Sequence, residues 1–134
     1  QVIATDIREK ALRELSKRAE RAGATIQIEQ PSSAHIVLID APCSGSGRLR
    51  RNPALRWGLT DQTHLAIQRE LLEAATEWVT HDGLLVYATC SLFERENQHP
   101  TPEGWSVIDE QTLWPHIDHS DGFYWRVMRR DTSA

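Results

Sequence analysis

The chain has 134 residues with a net charge of −4, 40% hydrophobic and 25% charged residues, and two cysteines. These values are typical of a single globular domain over residues 1–134, and the acidic balance does not indicate a nucleic-acid binder. No apolar run approaches the roughly 20 residues of a membrane-spanning helix, and no signal peptide is visible. Without Cys-x-x-Cys spacing, zinc and thioredoxin chemistry are disfavoured, and we expect reduced thiols in the cytoplasm.

Apolar runs and helical periodicities alternate along the chain. We predict strands at 1–5, 24–29, 35–40, 84–89, 105–108 and 123–129, and helices at 7–22, from Thr60 or Asp61 through Val79, and for one turn at 93–98. Gly23 ends the first helix, Pro31-Ser32-Ser33 breaks the second strand, and His81-Asp82-Gly83 ends the second helix. This alternation predicts an α/β, doubly wound and mostly parallel sheet, with the late strands as an antiparallel edge.

Both cysteines follow predicted buried strands. Cys43 lies in the segment Asp-Ala-Pro-Cys-Ser-Gly-Ser-Gly at 40–47, and Cys90 lies in Tyr-Ala-Thr-Cys-Ser at 87–91. In open α/β sheets, ligands bind beyond the carboxyl ends of the strands. We therefore expect both thiols to face one pocket and to carry covalent chemistry. A disulfide between them, or two inert buried thiols, are the alternatives.

Two acids and two glycines accompany these segments. Asp6 ends the first strand, where an acid either binds ribose hydroxyls or simply favours a helix N-terminus. Asp40 ends an apolar strand, so we expect partial desolvation and contact with a proton or a polar base edge. Gly45 and Gly47 are expected to let the backbone approach a ligand closely.

Four arginines follow the glycines within nine residues: Arg48, Arg50, Arg51 and Arg56. Arginine suits bidentate phosphate contacts, so this stretch is a candidate polyanion surface. Trp57 beside it is a candidate for base stacking, although tryptophans more often anchor cores. The six histidines show no ligand spacing with a cysteine, so we expect no metal site.

These residues resemble the Nol/Nop/Sun (Fmu-type) family of RNA cytosine-5 methyltransferases. Besides the two cysteine segments, the matching positions are Arg51-Asn52-Pro53, Trp57, Gln68, Leu71, Leu72, Gly83, Glu96-Asn97 and Asp121-Gly122-Phe123-Tyr124. The similarity runs over nearly all of the chain in the same order, and the paired Pro-Cys and Thr-Cys segments are highly specific.

The resemblance implies a Rossmann-like class I methyltransferase fold and a role for each site residue. A Cys90 thiolate attacks carbon 6 of a flipped-out cytosine, carbon 5 takes the methyl group of S-adenosyl-L-methionine, and Cys43 assists proton removal and release. Asp40 contacts the cytosine edge and lies near the donor, and Asp6 binds the donor's ribose. The implied partner is RNA, specifically ribosomal RNA, with neither metal nor membrane.

The family's glycine-rich donor loop and the strand before it lie upstream of the position that Asp6 matches. The resemblance therefore covers the C-terminal part of the catalytic domain, and we expect the first strand and donor loop to be missing from these residues. The match to the family's adenine-contacting acid, near Glu29 or Gln30, is poor. We expect weak or no donor binding by the 134 residues alone.

Loss of a central strand would leave unpaired edges on its two neighbours. We expect these edges to be repaired by rearrangement or by self-association with a second chain. Two other functions compete with the methyltransferase. One is a non-catalytic RNA-binding or assembly module that retains the fold, and the other is a cysteine hydrolase, which needs a histidine base beside Cys43 or Cys90.

Overall fold

The computed structural model describes residues 1–30, 33–60 and 62–132. The chain divides into two compact units, Gln1–Ser33 and Ala34–Ala134. The single domain predicted over 1–134 stays a prediction. Pro31, Ser32 and Asp61, which the sequence assigned to a strand break and a helix cap, lie outside the described residues.

The first unit holds β1 (Val2–Ala4), α1 (Glu9–Ala22) and β2 (Ile26–Ile28), and its two strands pair in parallel. The helix begins two residues later than predicted because Asp6 Oδ1 accepts the Arg8 backbone N–H at 2.8 Å, which fixes the preceding turn. It ends at Gly23 as predicted. That residue has a φ of 63° and donates its N–H to the Glu20 carbonyl, which is a left-handed C-terminal cap.

The second unit contains a four-stranded sheet in the order β3-β4-β6-β5. Its strands are β3 (Ala34–Asp40), β4 (Val79–Thr89), β5 (Trp105–Leu113) and β6 (Phe123–Arg130). β3 and β4 are parallel, while β6 is antiparallel to both β4 and β5. The mixed α/β sheet with C-terminal antiparallel strands is thus confirmed. Short helices α3 (Glu94–Asn97) and α4 (Pro115–Asp118) precede and follow β5.

The second long helix is shorter than predicted. α2 spans Leu65–Ala75, residues 76–78 form one 3-10 turn, and Val79 already begins β4 opposite Ala34. The predicted stop at 81–83 is wrong, because these residues lie inside β4. Gly83 is needed there, since a Cβ would lie 2.5 Å from the His35 carbonyl oxygen of the neighbouring strand.

One face of the second unit's sheet carries the core. Leu72 and Ala75 of α2 cluster with side chains from all four strands of this sheet: Ile39, Val79, Leu85, Tyr87, Trp105, Tyr124 and Met128. The opposite face of β3 presents Ile36 and Leu38, which are 60% and 64% exposed. No helix in the described ranges is both long and apolar enough to cross a membrane.

Candidate active site

The two cysteine segments meet at the carboxyl ends of β3 and β4. Parallel register sets Asp40 opposite Ala88, and the Ala41 N–H donates to the Ala88 carbonyl at 3.0 Å. Just beyond, the sulfur atoms of Cys43 and Cys90 are 3.5 Å apart, and both thiols are free. The two sulfurs lie side by side at the strand ends and are not joined as a disulfide, while the shared pocket and the covalent chemistry stay predictions.

The glycine loop packs against the chain itself. Gly47 donates its N–H to the Cys90 carbonyl at 2.9 Å and accepts the Gly122 N–H at 2.8 Å. A Cβ on Gly47 would lie 2.1 Å from the Gly122 oxygen. Gly45 has a φ of 72°, and its missing side chain leaves the space where the Arg48 guanidinium lies. The predicted ligand approach is therefore replaced by internal close packing at both positions.

The two thiols differ in acidity although they are neighbours. The Cys43 hydrogen bond and the nearby Arg48 charge lower the pKa of Cys90 to about 6, against the opposing effects of burial and Asp40. The hydrogen bond to Cys90, burial and the neighbouring negative charge raise the pKa of Cys43 well above its usual range. Near neutral pH, Cys90 is therefore the thiolate and Cys43 the thiol that donates to it.

Removing the Arg48 charge should make Cys90 less acidic. We expect Arg48→Gln to raise the Cys90 pKa by about one pH unit, which slows its alkylation by iodoacetamide at pH 6 about fivefold. Mass spectrometry of the Cys90 peptide across pH measures this. Arg50→Gln is the matched control, because Arg50 lies 3.5 Å from Asp121 and not beside the sulfur. If the pH midpoint of Cys90 alkylation is the same in Arg48→Gln as in the parent chain, the Arg48 charge does not lower the Cys90 pKa. The Cys43 hydrogen bond would then be the cause.

The acids predicted for the site occupy different settings. Asp40 ends β3 and is exposed rather than partly desolvated, because the strand end that carries it faces solvent. Asp6 belongs to the first unit, where its carboxylate accepts from the Arg8 N–H, Nε and Nη2 at 2.7–3.0 Å. These hydrogen bonds and the Arg8 charge lower the pKa of Asp6 to about 2.

A third carboxylate, which the sequence did not single out as a site residue, is buried between the two cysteine segments. Glu96 on α3 is fully buried, and its oxygens accept the Ser44 N–H at 2.8 Å and the Ser44 hydroxyl at 2.7 Å. The Ser91 hydroxyl also donates to it. A carboxylate in the interior is costly unless such donors replace water, and here they come from the residues that follow each cysteine.

Further polar side chains extend this cluster into the core. Gln68 of α2 donates to the Pro42 carbonyl at 2.8 Å and lies 3.4 Å from Glu96, while its amide oxygen accepts from His99 at 2.8 Å. On the Cys90 side, Asn97 accepts the Thr89 hydroxyl at 2.6 Å and donates to the Ser91 carbonyl at 2.9 Å. The side chains of Gln68, His99, Thr89 and Asn97 are buried, so the network fixes the backbone on both sides of the thiols.

The four arginines divide between three tasks. Arg48 faces Cys90, Arg50 and Arg51 pair with Asp121, and Arg56 stacks at 4.3 Å on the ring of Trp57. Trp57 is 80% exposed, so it does not anchor the core, which is the more common role of a tryptophan. The polyanion surface and the stacking role stay predictions.

No histidine hydrogen-bonds to either sulfur among the residues that the structure describes. Groups of three or more His, Cys, Asp or Glu side chains that could hold a metal ion are also absent from the described ranges.

Sequence reasoning missed the groups that tune and hold the thiols. It placed Arg48 among phosphate-binding candidates and quoted Gln68 and Glu96 only as matching positions. A buried glutamate after a Cys-Ser turn is a weak signal by itself, because helix surfaces usually carry such residues. Only the long-range contact with Ser44 shows what Glu96 does.

Comparison with known proteins places these features in context. A family model described as 16S rRNA methyltransferase RsmB/F matches residues 1–103. The ribosomal RNA small subunit methyltransferase B of Yersinia pseudotuberculosis is 37% identical over 105 residues, which are 66% of this chain and 24% of that protein. The Yersinia pestis protein of the same name matches equally. The chain thus spans about a quarter of the length of these relatives.

Solved structures share the fold. NSun6 from Pyrococcus horikoshii, crystallised with SFG, superimposes with a TM-score of 0.82 and 24% identity, over 99% of this chain and 42% of that one. A methyltransferase homologue from the same organism gives a TM-score of 0.72 and 22% identity, over 96% and 52%. At these identities the likeness establishes the Rossmann-like methyltransferase architecture alone.

Proposed function

Because this chain belongs to the 16S rRNA methyltransferase RsmB/F family, whose model matches residues 1–103, we propose that it carries the nucleophilic part of an RNA cytosine-5 methyltransferase site. The proposed substrate is ribosomal RNA and the proposed methyl donor is S-adenosyl-L-methionine. The observation that carries the proposal is the 3.5 Å contact between the Cys43 and Cys90 sulfur atoms at two parallel strand ends. Action on ribosomal RNA would place this activity in the cytoplasm.

Two carboxylates of the chain fit the polar groups of the donor. Arg8 fills three of the roughly four lone-pair sites of the Asp6 carboxylate, which leaves one for a ribose hydroxyl. Asp40 is exposed at the end of β3 and accepts no hydrogen bond from the described residues. When bound, S-adenosyl-L-methionine supplies an electrophilic methyl group. Asp6 is the proposed contact for the donor's ribose, and Asp40 stays a predicted donor contact.

Cys90 performs the first covalent step in this proposal. Its thiolate forms a bond to carbon 6 of cytosine, and the electron pair of the carbon 5–carbon 6 double bond moves toward carbon 5, which becomes the nucleophile. The lowered Cys90 pKa supports this role, since most of the side chain is ionised at neutral pH. The base must leave its stack to reach the sulfur, and unpaired RNA loops offer such bases. Asp40 contacts the ring nitrogen and amino edge.

Cys43 acts in the second half of the reaction. Loss of the carbon 5 proton returns an electron pair to the ring and breaks the bond between carbon 6 and the Cys90 sulfur. While the Cys90 sulfur is bonded to carbon 6 it carries no charge, so the neighbouring Cys43 can ionise, accept the carbon 5 proton as a thiolate and become a thiol again. The leaving sulfur regains the hydrogen bond that stabilises it as a thiolate.

The experiment that tests this function is covalent capture. Fluorine at carbon 5 of cytosine blocks the proton loss, so RNA carrying 5-fluorocytosine should remain attached to the chain when S-adenosyl-L-methionine is present. Denaturing electrophoresis detects the adduct and mass spectrometry assigns it to the Cys90 peptide. Calorimetry alongside reports donor binding. Donor and RNA binding without any adduct would contradict the proposal and favour the non-catalytic RNA-binding module.

We also propose that the open edge of β3 mediates self-association. Within the described ranges β3 pairs with β4 alone, and Ile36 and Leu38 beside that edge are largely exposed. Leu38→Lys should raise the concentration needed for dimers at least about tenfold in sedimentation, since one buried leucine is worth about 1.5–3 kcal/mol. Ile108→Lys on β5 should have no effect. A chain that is monomeric at every concentration would contradict this proposal.

A further inference from the structure

The carboxylate of Glu96 touches both cysteine segments, and we infer that Glu96 is a positioning residue that holds Cys43 against Cys90. Ser44 follows Cys43 and donates both its N–H and its hydroxyl to Glu96, and Ser91 follows Cys90 and donates its hydroxyl. One acceptor group thus fixes the residue next to each thiol. The inference rests on the proposed function, because this contact serves methyl transfer only if Cys90 is the nucleophile.

Backbone hydrogen bonds alone do not fix Cys43. The bonds that join the two segments start at Ala41 and at Gly47, on either side of a Pro-Cys-Ser stretch. Proline has no N–H to donate, and the Pro42 carbonyl is taken by Gln68. Ser44, next to Cys43, is instead held by its two hydrogen bonds to Glu96 and by the contact of its hydroxyl with the Ser91 hydroxyl at 3.3 Å.

The negative group suits this position because every hydrogen bond that reaches it comes from a donor. Ser44, Ser91 and Gln68 present N–H and O–H groups to its two oxygens. A carboxylate can accept from all of them at once. A glutamine of the same shape would present an NH₂ in place of one oxygen and could not accept there.

The test uses thiol chemistry alone, so it does not depend on donor, RNA or turnover. Three groups face the Cys90 sulfur: Cys43, Arg48 and Asp40. Loss of the Glu96 charge would by electrostatics alone lower the Cys90 pKa, whereas separation of the thiols removes the Cys43 hydrogen bond and raises it. In Glu96→Gln we therefore expect the Cys90 alkylation midpoint to rise, with about tenfold slower reaction at pH 6.

Oxidation of the two thiols by diamide, a diazene reagent, gives a second measurement of how well they are aligned. The reagent takes one hydrogen from each thiol, becomes a hydrazine and leaves a Cys43–Cys90 disulfide, which needs the sulfurs to close from 3.5 Å to about 2.05 Å. We expect Glu96→Gln to form this disulfide about tenfold more slowly, because effective concentration depends on alignment. Glu94→Gln, exposed on the same helix, is the matched control and should behave as the parent chain.

A folded Glu96→Gln chain whose alkylation midpoint falls or stays, and whose disulfide forms at the parent rate, would overturn the inference. Ser91→Ala serves if that variant does not fold, because it removes the hydroxyl that donates to Glu96, together with that hydroxyl's contacts to Ser44, Ser46 and the Phe93 N–H. It should show the same two changes, and parent behaviour would again overturn the inference. A parent chain that fails to capture RNA affects the proposed function and leaves this result standing.

Discussion

Cys90→Ala is expected to abolish covalent capture of 5-fluorocytosine RNA, with a loss of about three orders of magnitude or more in the rate of adduct formation. The reason is that no other described side chain beside the site is an ionised nucleophile. The Cys43 hydrogen bond and the Arg48 charge lower the pKa of Cys90, whereas the pKa of Cys43 is raised. Quantitative electrophoresis of chain incubated with RNA and a large excess of donor measures the loss, and calorimetry should give the variant and the parent chain the same weak donor affinity.

Cys43→Ala is the matched comparison, because it removes the neighbouring sulfur and leaves the nucleophile. It should still form the adduct, with a rate that reaches its plateau at higher pH than in the parent chain, since the hydrogen bond that lowers the Cys90 pKa is gone. Release should fail, so adducts with ordinary cytosine should accumulate. If Cys90→Ala traps RNA as well as the parent chain, Cys90 is not the nucleophile.

Gly47→Ala is expected to destabilise the chain by about 4 kcal/mol and to lower its thermal midpoint by more than about 10 °C. The new Cβ would lie 2.1 Å from the Gly122 oxygen and 2.6 Å from its carbonyl carbon, so backbone rather than a flexible side chain must move. That movement breaks the hydrogen bonds of Gly47 to Cys90 and to Gly122. Circular dichroism during heating measures the change.

Gly58→Ala provides the control for this prediction. Gly58 follows the same loop, and no atom lies within 4 Å of the position where its Cβ would be. We expect a change within about 0.5 kcal/mol. Equal midpoints for the two variants would show that the loop can shift away from Gly122 at little cost.

The element types were predictable from periodicity, but several boundaries were not. Gly23 marks the end of α1 because its left-handed cap is a local property of the chain. The end of α2 is set by a partner instead, since Val79 leaves the helical pattern to pair with Ala34, about 45 residues away. A glycine in such a stretch signals either a helix stop or a close strand contact, and sequence alone does not separate them.

The features of the site also divide into those that the sequence predicts and those that depend on distant partners. The contact between Cys43 and Cys90 followed from two strand ends in a parallel sheet, which is a general rule of such folds. The assignment of the thiolate to Cys90 by chemistry, the role of Arg48 and the buried Glu96 depend on side chains brought together from distant positions. Asp40 also shows this limit, because its exposure depends on neighbours that the strand pattern does not specify.

The crossover between β3 and β4 makes the acidity of Cys90 a report on folding. The two sulfurs are 47 residues apart in sequence, so the unfolded chain must lose the entropy of closing that loop before they can meet. An unfolded chain keeps ordinary thiols, with a pKa of about 8.5. Rapid alkylation of Cys90 in mildly acidic solution therefore begins only when the parallel strands have paired. During refolding, the onset of this reaction reports when β3 and β4 pair, a step that requires contacts between distant parts of the chain.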